Sequence, residues 1–170
     1  MTLYRAPEPL NPGHCLSEFH NGRHSSLDDW LIRRVRIAEG LSARTYVLTL
    51  SAAPTMVVGY HAIVSAMSER IALPSAKLRR DMPDPTPLIL LGRLAVDEKH
   101  QGKGLGSNLI TDAVARCVAA AQIIGARGVI THALDDEAAA FYRRHGFLDA
   151  PVSGRVLVLP MEAAKQLVTR

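Results

Sequence analysis

A near-continuous apolar run, Leu88-Ile-Leu-Leu-Gly-Arg-Leu-Ala-Val96, leads into Gln101-Gly-Lys-Gly-Leu-Gly106 and then into a long stretch with helical spacing. Few folds accommodate that order. The run reads as a strand covered on both faces, hence central in a sheet. Leu105, Leu109, Ala113, Cys117 and Ala120 follow at spacings of three or four, which predicts a helix over 104–124, ended by Gly125. Backbone N–H groups at that helix N-terminus, next to glycines that lack Cβ atoms, form a place for a diphosphate. The spacing excludes the commoner phosphate loops. There is no GxxxxGK[ST], and the glycines read GxGxG without the full GxGxxG or an acidic residue about 20 positions later. Neither a nucleotide triphosphatase nor a dinucleotide dehydrogenase is favoured.

The remaining segments supply the rest of a mixed α/β sheet. Ser25-Ser26-Leu27-Asp28-Asp29 has the serine cap and early carboxylates of a helix start. Leu27, Trp30, Leu31, Val35 and Ala38 continue it as a core-facing stripe with Gly40 as the stop, leaving Arg33 and Arg36 on the outer face. Segments 45–50 and 56–66 read as a hairpin. From 69 to 87 there is no clean period, and Pro74, Pro83, Pro85 and Pro87 enclose Lys77, Arg79 and Arg80, which predicts an exposed basic excursion. A second buried strand is expected over 129–133, a helix over 136–145 stopped by Gly146, a last strand over 155–159 and a short C-terminal helix. Strand and helix alternating after a helix and a hairpin give a mixed central sheet flanked by helices.

Composition sets outer bounds. A chain of 170 residues fits one domain, 1–170, of ordinary globular make-up, at 48% hydrophobic and 21% charged. No apolar run approaches the roughly 20 residues needed to span a bilayer, so no membrane association is expected. Residues 1–11 carry Arg5, Glu8 and prolines where an export signal would be apolar, which points to the cytoplasm. Cys15 and Cys117 lack metal-ligand spacing, so no metal is expected and both thiols read as small buried hydrophobes. The net charge of +4 is a weak pointer to an anionic partner.

With Leu94-Ala95-Val96 just before it, the glycine loop matches the pattern [Q/R]xxGx[G/A] and resembles that of GNAT-family acetyltransferases, the acyl-CoA N-acyltransferase fold. Downstream, Ala139-Ala-Phe-Tyr142-Arg-Arg-His-Gly-Phe147 is similar to the family segment with a Tyr ahead of Gly-Phe. The resemblance implies acetyl-CoA as cosubstrate, its pyrophosphate held by Gln101, Gly102, Lys103, Gly104, Leu105 and Gly106. The pantetheine arm would run along the backbone of Leu94, Ala95 and Val96. Tyr142 would give a proton to the departing thiolate, a task that suits a phenol of pKa about 10; Phe141 is then the expected core partner. No acidic residue lies on the 88–96 strand to act as base, Arg93 being its only charge, and Asp97 and Glu98 read as solvated loop charges.

Pro7-Glu-Pro-Leu10, Leu27-Asp-Asp-Trp-Leu31, Arg79-Arg-Asp-Met-Pro-Asp-Pro85, Leu91-Gly-Arg-Leu-Ala-Val-Asp97 and His132-Ala-Leu-Asp-Asp-Glu137 together resemble the GNAT toxins of bacterial toxin–antitoxin pairs. That resemblance implies acetylation of the α-amine of aminoacyl-tRNA, a block of translation, a homodimer, and restraint by a ribbon-helix-helix antitoxin. The residues themselves agree in two respects. Arg33, Arg36, Lys77, Arg79, Arg80 and Arg93 are cations available for phosphates, although Arg93 has the alternative of pairing with a core carboxylate and the helix arginines that of a solvated face. An amine next to an ester also needs no strong base. A small-molecule amine acetyltransferase is the alternative, disfavoured by the lack of carboxylates near 88–96; a nucleic-acid-binding module without catalysis is another.

Overall fold

The computed structural model describes residues 2–170. Among them, strands β1 (Glu8–Pro9), β2 (Arg44–Thr49), β3 (Val57–Ser68), β4 (Thr86–Val96), β5 (Gly128–His132), β6 (Leu148–Asp149) and β7 (Val156–Pro160) hydrogen-bond in the order β1-β2-β3-β4-β5-β7-β6. The β1–β2, β2–β3, β5–β7 and β6–β7 pairs are antiparallel and β4–β5 is parallel. The apolar run 88–96 is therefore the core of the fourth strand of seven. Helices are α1 (Ser25–Arg33), α2 (Val35–Ala38), α3 (Ala76–Arg79), α4 (Leu105–Ala121), α5 (Asp136–Arg144) and α6 (Met161–Val168). No helix among the described residues is long and apolar enough to cross a membrane.

The chain forms two compact units. One holds the residues up to Ile63 together with Arg93–Ala113; the other holds Val64–Gly92 and Val114–Arg170. Within the first, the period-two alternation of strands sorts neighbours to opposite faces. Val47, Val57, Tyr60 and Ala95 pack with Leu27, Leu31 and Val35 of α1 and α2. Leu48, Val58, Leu94 and Val96 face Leu105 and Leu109 of α4 instead. Burying a Val or Leu side chain is worth about 1.5–3 kcal/mol, so these two layers dominate the stability of that unit. In the second unit, Leu73, Leu78, Leu88, Ile130 and Val158 form a further core.

Four expectations change here. The helix over 25–38 is broken at Arg34 (φ −117°, ψ −28°), so Arg33 closes α1 while Arg36 lies in the separate α2; Gly40, at φ +80°, still ends the segment. The 69–87 excursion is not simply exposed. It buries Ala72, Leu73 and Leu78, and α3 is capped by Ser75, whose hydroxyl accepts from the Leu78 N–H at 3.3 Å. Cys15 is half-buried, on a loop with its Sγ 3.7 Å from the Ser17 hydroxyl, whereas Cys117 is buried and its thiol is pushed up to about 12. Asp97 is buried, not solvated, because it caps the turn that follows β4.

Candidate active site

The glycine loop leaves β4 through a hydrogen-bonded brace. Asp97 accepts from the N–H of Lys99 and of His20, each at 3.0 Å. Gln101 lies exposed, and its Nε2 donates to the carbonyls of Asn21 (2.8 Å) and Val96 (2.9 Å). Asn21 is itself buried and donates both its N–H (2.9 Å) and its Nδ2 (2.7 Å) to Asp28, while its Oδ1 accepts from the N–H of Arg23 and His24. The Gln101 side chain thus ties the loop down, and one lone pair of the Val96 carbonyl is already used. The pattern-matching residue acts as a strut.

Beyond that strut the backbone is open. Gly102 and Gly104 have φ of +75° and +80°, and a Cβ built on either meets nothing within 4 Å. Among the described residues the amides of Gln101, Gly102, Lys103 and Gly104 donate to no backbone carbonyl. Amides that donate to no backbone carbonyl, glycines at positive φ and a helix N-terminus at Leu105 fit an anionic diphosphate. Gly106 lies half-buried within the first turn of α4 and Leu105 is core, so Leu105 offers only its amide. Gln101→Glu is expected to weaken CoA binding about tenfold while leaving secondary structure unchanged, because two hydrogen bonds of about 0.5–1.5 kcal/mol each are lost and a carboxylate faces two carbonyl oxygens. Calorimetric titration with CoA, beside a circular dichroism spectrum, checks it.

The candidate cations differ in freedom. Arg33 is exposed. Arg36 is exposed too, yet its guanidinium donates to the carbonyls of Asn11 (3.2 Å) and His14 (2.7 Å), which straps the N-terminal segment to α2. Arg93 is half-buried over the Trp30 ring, 4.9 Å from its centroid; a cation–π contact takes the place of the carboxylate pairing considered above. In the second unit Lys77 and Arg80 are exposed, whereas Arg79 donates to the Leu73 carbonyl at 2.7 Å.

Tyr142 is set by α5. Asp135 caps the helix by accepting from the Ala138 N–H at 2.7 Å. Asp136 and Glu137 lie in its first turn and Arg143 and Arg144 in its last, as the helix dipole favours. Gly146, at φ +92°, turns the chain so that the N–H groups of His145 and Phe147 both donate to the Tyr142 carbonyl. Tyr142 is the more buried of the two aromatics, at 7% exposure, and its ring lies 5.4 Å from both Phe141 and Phe147. Phe141 is only half-buried and packs on His145, so the expected core role falls on Tyr142 and Phe147. Burial raises the phenol above its ordinary value and a hydrogen bond with the Thr131 side chain offsets part of this. The neutral form therefore persists above neutral pH, which suits a proton donor.

No carboxylate on β4 offers a base, and both Asp97 oxygens already accept from backbone N–H groups. His61 is fully buried, with Nε2 2.7 Å from Asp112, and joins β3 to the first half of α4. Asn21 escaped the sequence reading, and Asp97 was read there only as a solvated loop charge. An Asn-Gly pair signals a turn at Asn21, but its partner at Gln101 is 80 residues away, and nothing local announces it.

A glycine cradle opening α4 from the central strand, in a mixed sheet with a buried phenol on α5, defines an N-acyltransferase of the GNAT class. A model of the acetyltransferase (GNAT) domain matches residues 55–148, and the chain belongs to that family. It is 41% identical over 170 residues, 99% of each chain, to a tRNA-acetylating toxin of Mycobacterium tuberculosis (strain ATCC 25618 / H37Rv). Among solved structures it is similar to AtaT complexed with acetyl-methionyl-tRNAfMet, with a TM-score of 0.86 and 28% identity over 95% of this chain and 98% of that one. It is also similar to a tyrosine-to-phenylalanine AtaT mutant toxin bound to the C-terminus of the antitoxin AtaR and acetyl-CoA, with a TM-score of 0.78 and 26% identity over 97% and 98%.

Proposed function

We propose that this acetyltransferase moves the acetyl group of acetyl-CoA to the α-amine of the amino acid on an aminoacyl-tRNA, which blocks translation. The 41% identity with a tRNA-acetylating toxin along 99% of both chains carries the reading. Because that likeness runs end to end, 1–170 serves as one catalytic domain. An antitoxin restrains the chain, as the AtaT–AtaR likeness supports; we assign it to the ribbon-helix-helix type, and the working form to a cytoplasmic homodimer.

Acetyl-CoA supplies the acyl group as a thioester. The loop amides of Gln101 to Gly106 hold the pyrophosphate, and Leu94, Ala95 and Val96 present backbone to the pantetheine. As the amine attacks the carbonyl carbon, a C–N bond forms and the C–S bond breaks. Tyr142 protonates the leaving thiolate, and the surplus amine proton passes to water. An α-amine titrates near about 7.7–8.0, and lower beside an ester, so a carboxylate base on β4 is dispensable.

Incubation with radiolabelled acetyl-CoA and total charged tRNA tests the reading. Label is expected in the tRNA fraction and, after alkaline deacylation, on free N-acetyl amino acid. Label on free amines alone would make this a small-molecule acetyltransferase. No CoA release on any amine would leave a nucleic-acid-binding module.

Exposed Arg33, Lys77 and Arg80 are the cations best placed to meet tRNA phosphates. Each phosphate they neutralise releases counterions, so Arg33→Glu and the Lys77→Glu/Arg80→Glu pair are each expected to reduce the log–log salt slope of tRNA use, by about 1 for every phosphate no longer neutralised. CoA affinity stays unchanged. Arg36 is left intact in this test, because it holds the N-terminal segment. Acetylation rates on charged tRNA across a salt series check it; unchanged slopes in both variants would move the tRNA surface elsewhere, Arg144 included.

A further inference from the structure

Two adjacent carboxylates stand near the start of α1, and only one faces water. Asp29 is exposed, whereas Asp28 is 8% exposed and reaches back to the turn that precedes the helix. Its Oδ1 accepts from both the N–H (2.9 Å) and the Nδ2 (2.7 Å) of Asn21, and its Oδ2 lies 3.4 Å from Nδ1 of His20. Asn21 also donates from Nδ2 to the His24 carbonyl at 2.6 Å, while its Oδ1 accepts from two backbone N–H groups. A side-chain amide has two donor protons and one acceptor oxygen, so Asn21 is fixed at every polar atom. Its carbonyl alone serves another element, accepting from Gln101 Nε2 at 2.8 Å. The same turn lies against the stem of the glycine loop. His20 donates its N–H to Asp97 (3.0 Å) and accepts from the Glu98 N–H (2.8 Å). A Cβ added at Gly22, where φ is +82°, would stand 2.6 Å from the Glu98 carboxylate.

We propose that Asp28 is a positioning residue for acetyl-CoA: it fixes the Asn21 turn from α1, and that turn supplies the acceptor on which Gln101 holds the loop. The carboxylate never meets the cofactor. It acts through Asn21 and then Gln101, keeping the open amides of residues 101–104 in the arrangement that receives a diphosphate. Amides held in place before the ligand arrives lose less freedom on binding, so a support placed two residues behind the loop shows up as affinity. A charged acceptor suits the task, because hydrogen bonds to an ionised group are the stronger kind and Asn21 directs two donors at one oxygen.

The inference rests on the loop holding the pyrophosphate, so Gly104→Asp is run beside it as the test of that reading. Calorimetric titration with CoA, thermal unfolding and steady-state kinetics are measured for wild type, Asp28→Ala, Asp28→Asn, Gln101→Ala and the Asp28→Ala/Gln101→Ala double variant. Asp28→Ala is expected to weaken CoA about tenfold, the size of one charge-assisted hydrogen bond. KM for acetyl-CoA should rise to match, with kcat and KM for charged tRNA within about twofold of wild type. Asp28→Asn keeps an acceptor oxygen and is expected to recover most of the affinity. The double variant is expected to bind CoA within about twofold of Gln101→Ala alone, because a residue that acts through the Gln101 side chain has nothing to act on once it is gone. A carboxylate that only supported the fold would lower the unfolding temperature and leave the CoA affinity of the folded protein unchanged. That result would overturn the proposal, as would a double variant weakened by the product of the two single effects. Should Asp28→Ala not fold, Asn21→Ala removes the Nδ2 donor from the other end of the contact, and wild-type CoA affinity there would overturn it equally. Failure of both to fold would assign Asp28 to the fold and overturn it as well. Wild-type affinity in Gly104→Asp would instead move the pyrophosphate off the loop and take the proposal with it.

Discussion

Replacing Tyr142 by phenylalanine is expected to lower kcat by about 10² or more and leave acetyl-CoA affinity within about twofold, the usual cost of losing a general acid. The ring is the part of Tyr142 that packs against Phe141 and Phe147, and phenylalanine keeps it. Only the hydroxyl disappears, so folding and cofactor binding are expected to be preserved while the thiolate loses its donor. The pH dependence provides a second check. Burial raises the phenol, so the acid-competent neutral form persists as pH rises, and kcat should show no loss from phenol ionisation up to at least about pH 10, the ordinary value. Steady-state kinetics at several pH values decides it. An unchanged kcat in the variant, or a descending limb near neutral pH that Tyr142→Phe abolishes, would take the acid role away from this residue.

Gly104→Asp should abolish CoA binding. Three effects act together at this position. The backbone φ of +80° strains any residue with a Cβ, the Cβ enters the open space over the loop, and the carboxylate repels the phosphates. Gly104→Ala separates them, since it keeps the strain and the added carbon without the charge, and is expected to weaken binding less. Calorimetric titration with CoA reads both variants, with thermal unfolding as the control for folding. Wild-type affinity in a folded Gly104→Asp protein would move the pyrophosphate site off this loop.

Much of this was legible along the chain. The strand–glycine–helix order, the Asp136-Glu137 start and Arg143-Arg144 end of α5, and the alternation that splits Val47 from Leu48 are local signals, each governed by neighbours within a turn or a strand. They were sufficient for the mixed α/β class and for the loop and Tyr142 as candidate site elements. The Thr45–Leu50 and Met56–Ala66 expectations lie close to the observed β2 and β3 for the same reason.

Tertiary packing, by contrast, chose which polar groups satisfy one another at a distance. Gln101 reads as a cradle residue in sequence, but its amide finds Asn21 and Val96. Asp97 reads as a solvated charge, but the His20 and Lys99 amides draw it inward. Arg36 reads as a free cation, but two carbonyls of the N-terminal segment hold it, and Arg93 finds the Trp30 ring. Thr131 carries no local mark of its partner, the Leu91 carbonyl of the neighbouring strand. Periodicity and turn chemistry are short-range and can be read from spacing; a buried donor must find an acceptor wherever folding brings one, and that choice is made only when segments far apart in sequence are packed together.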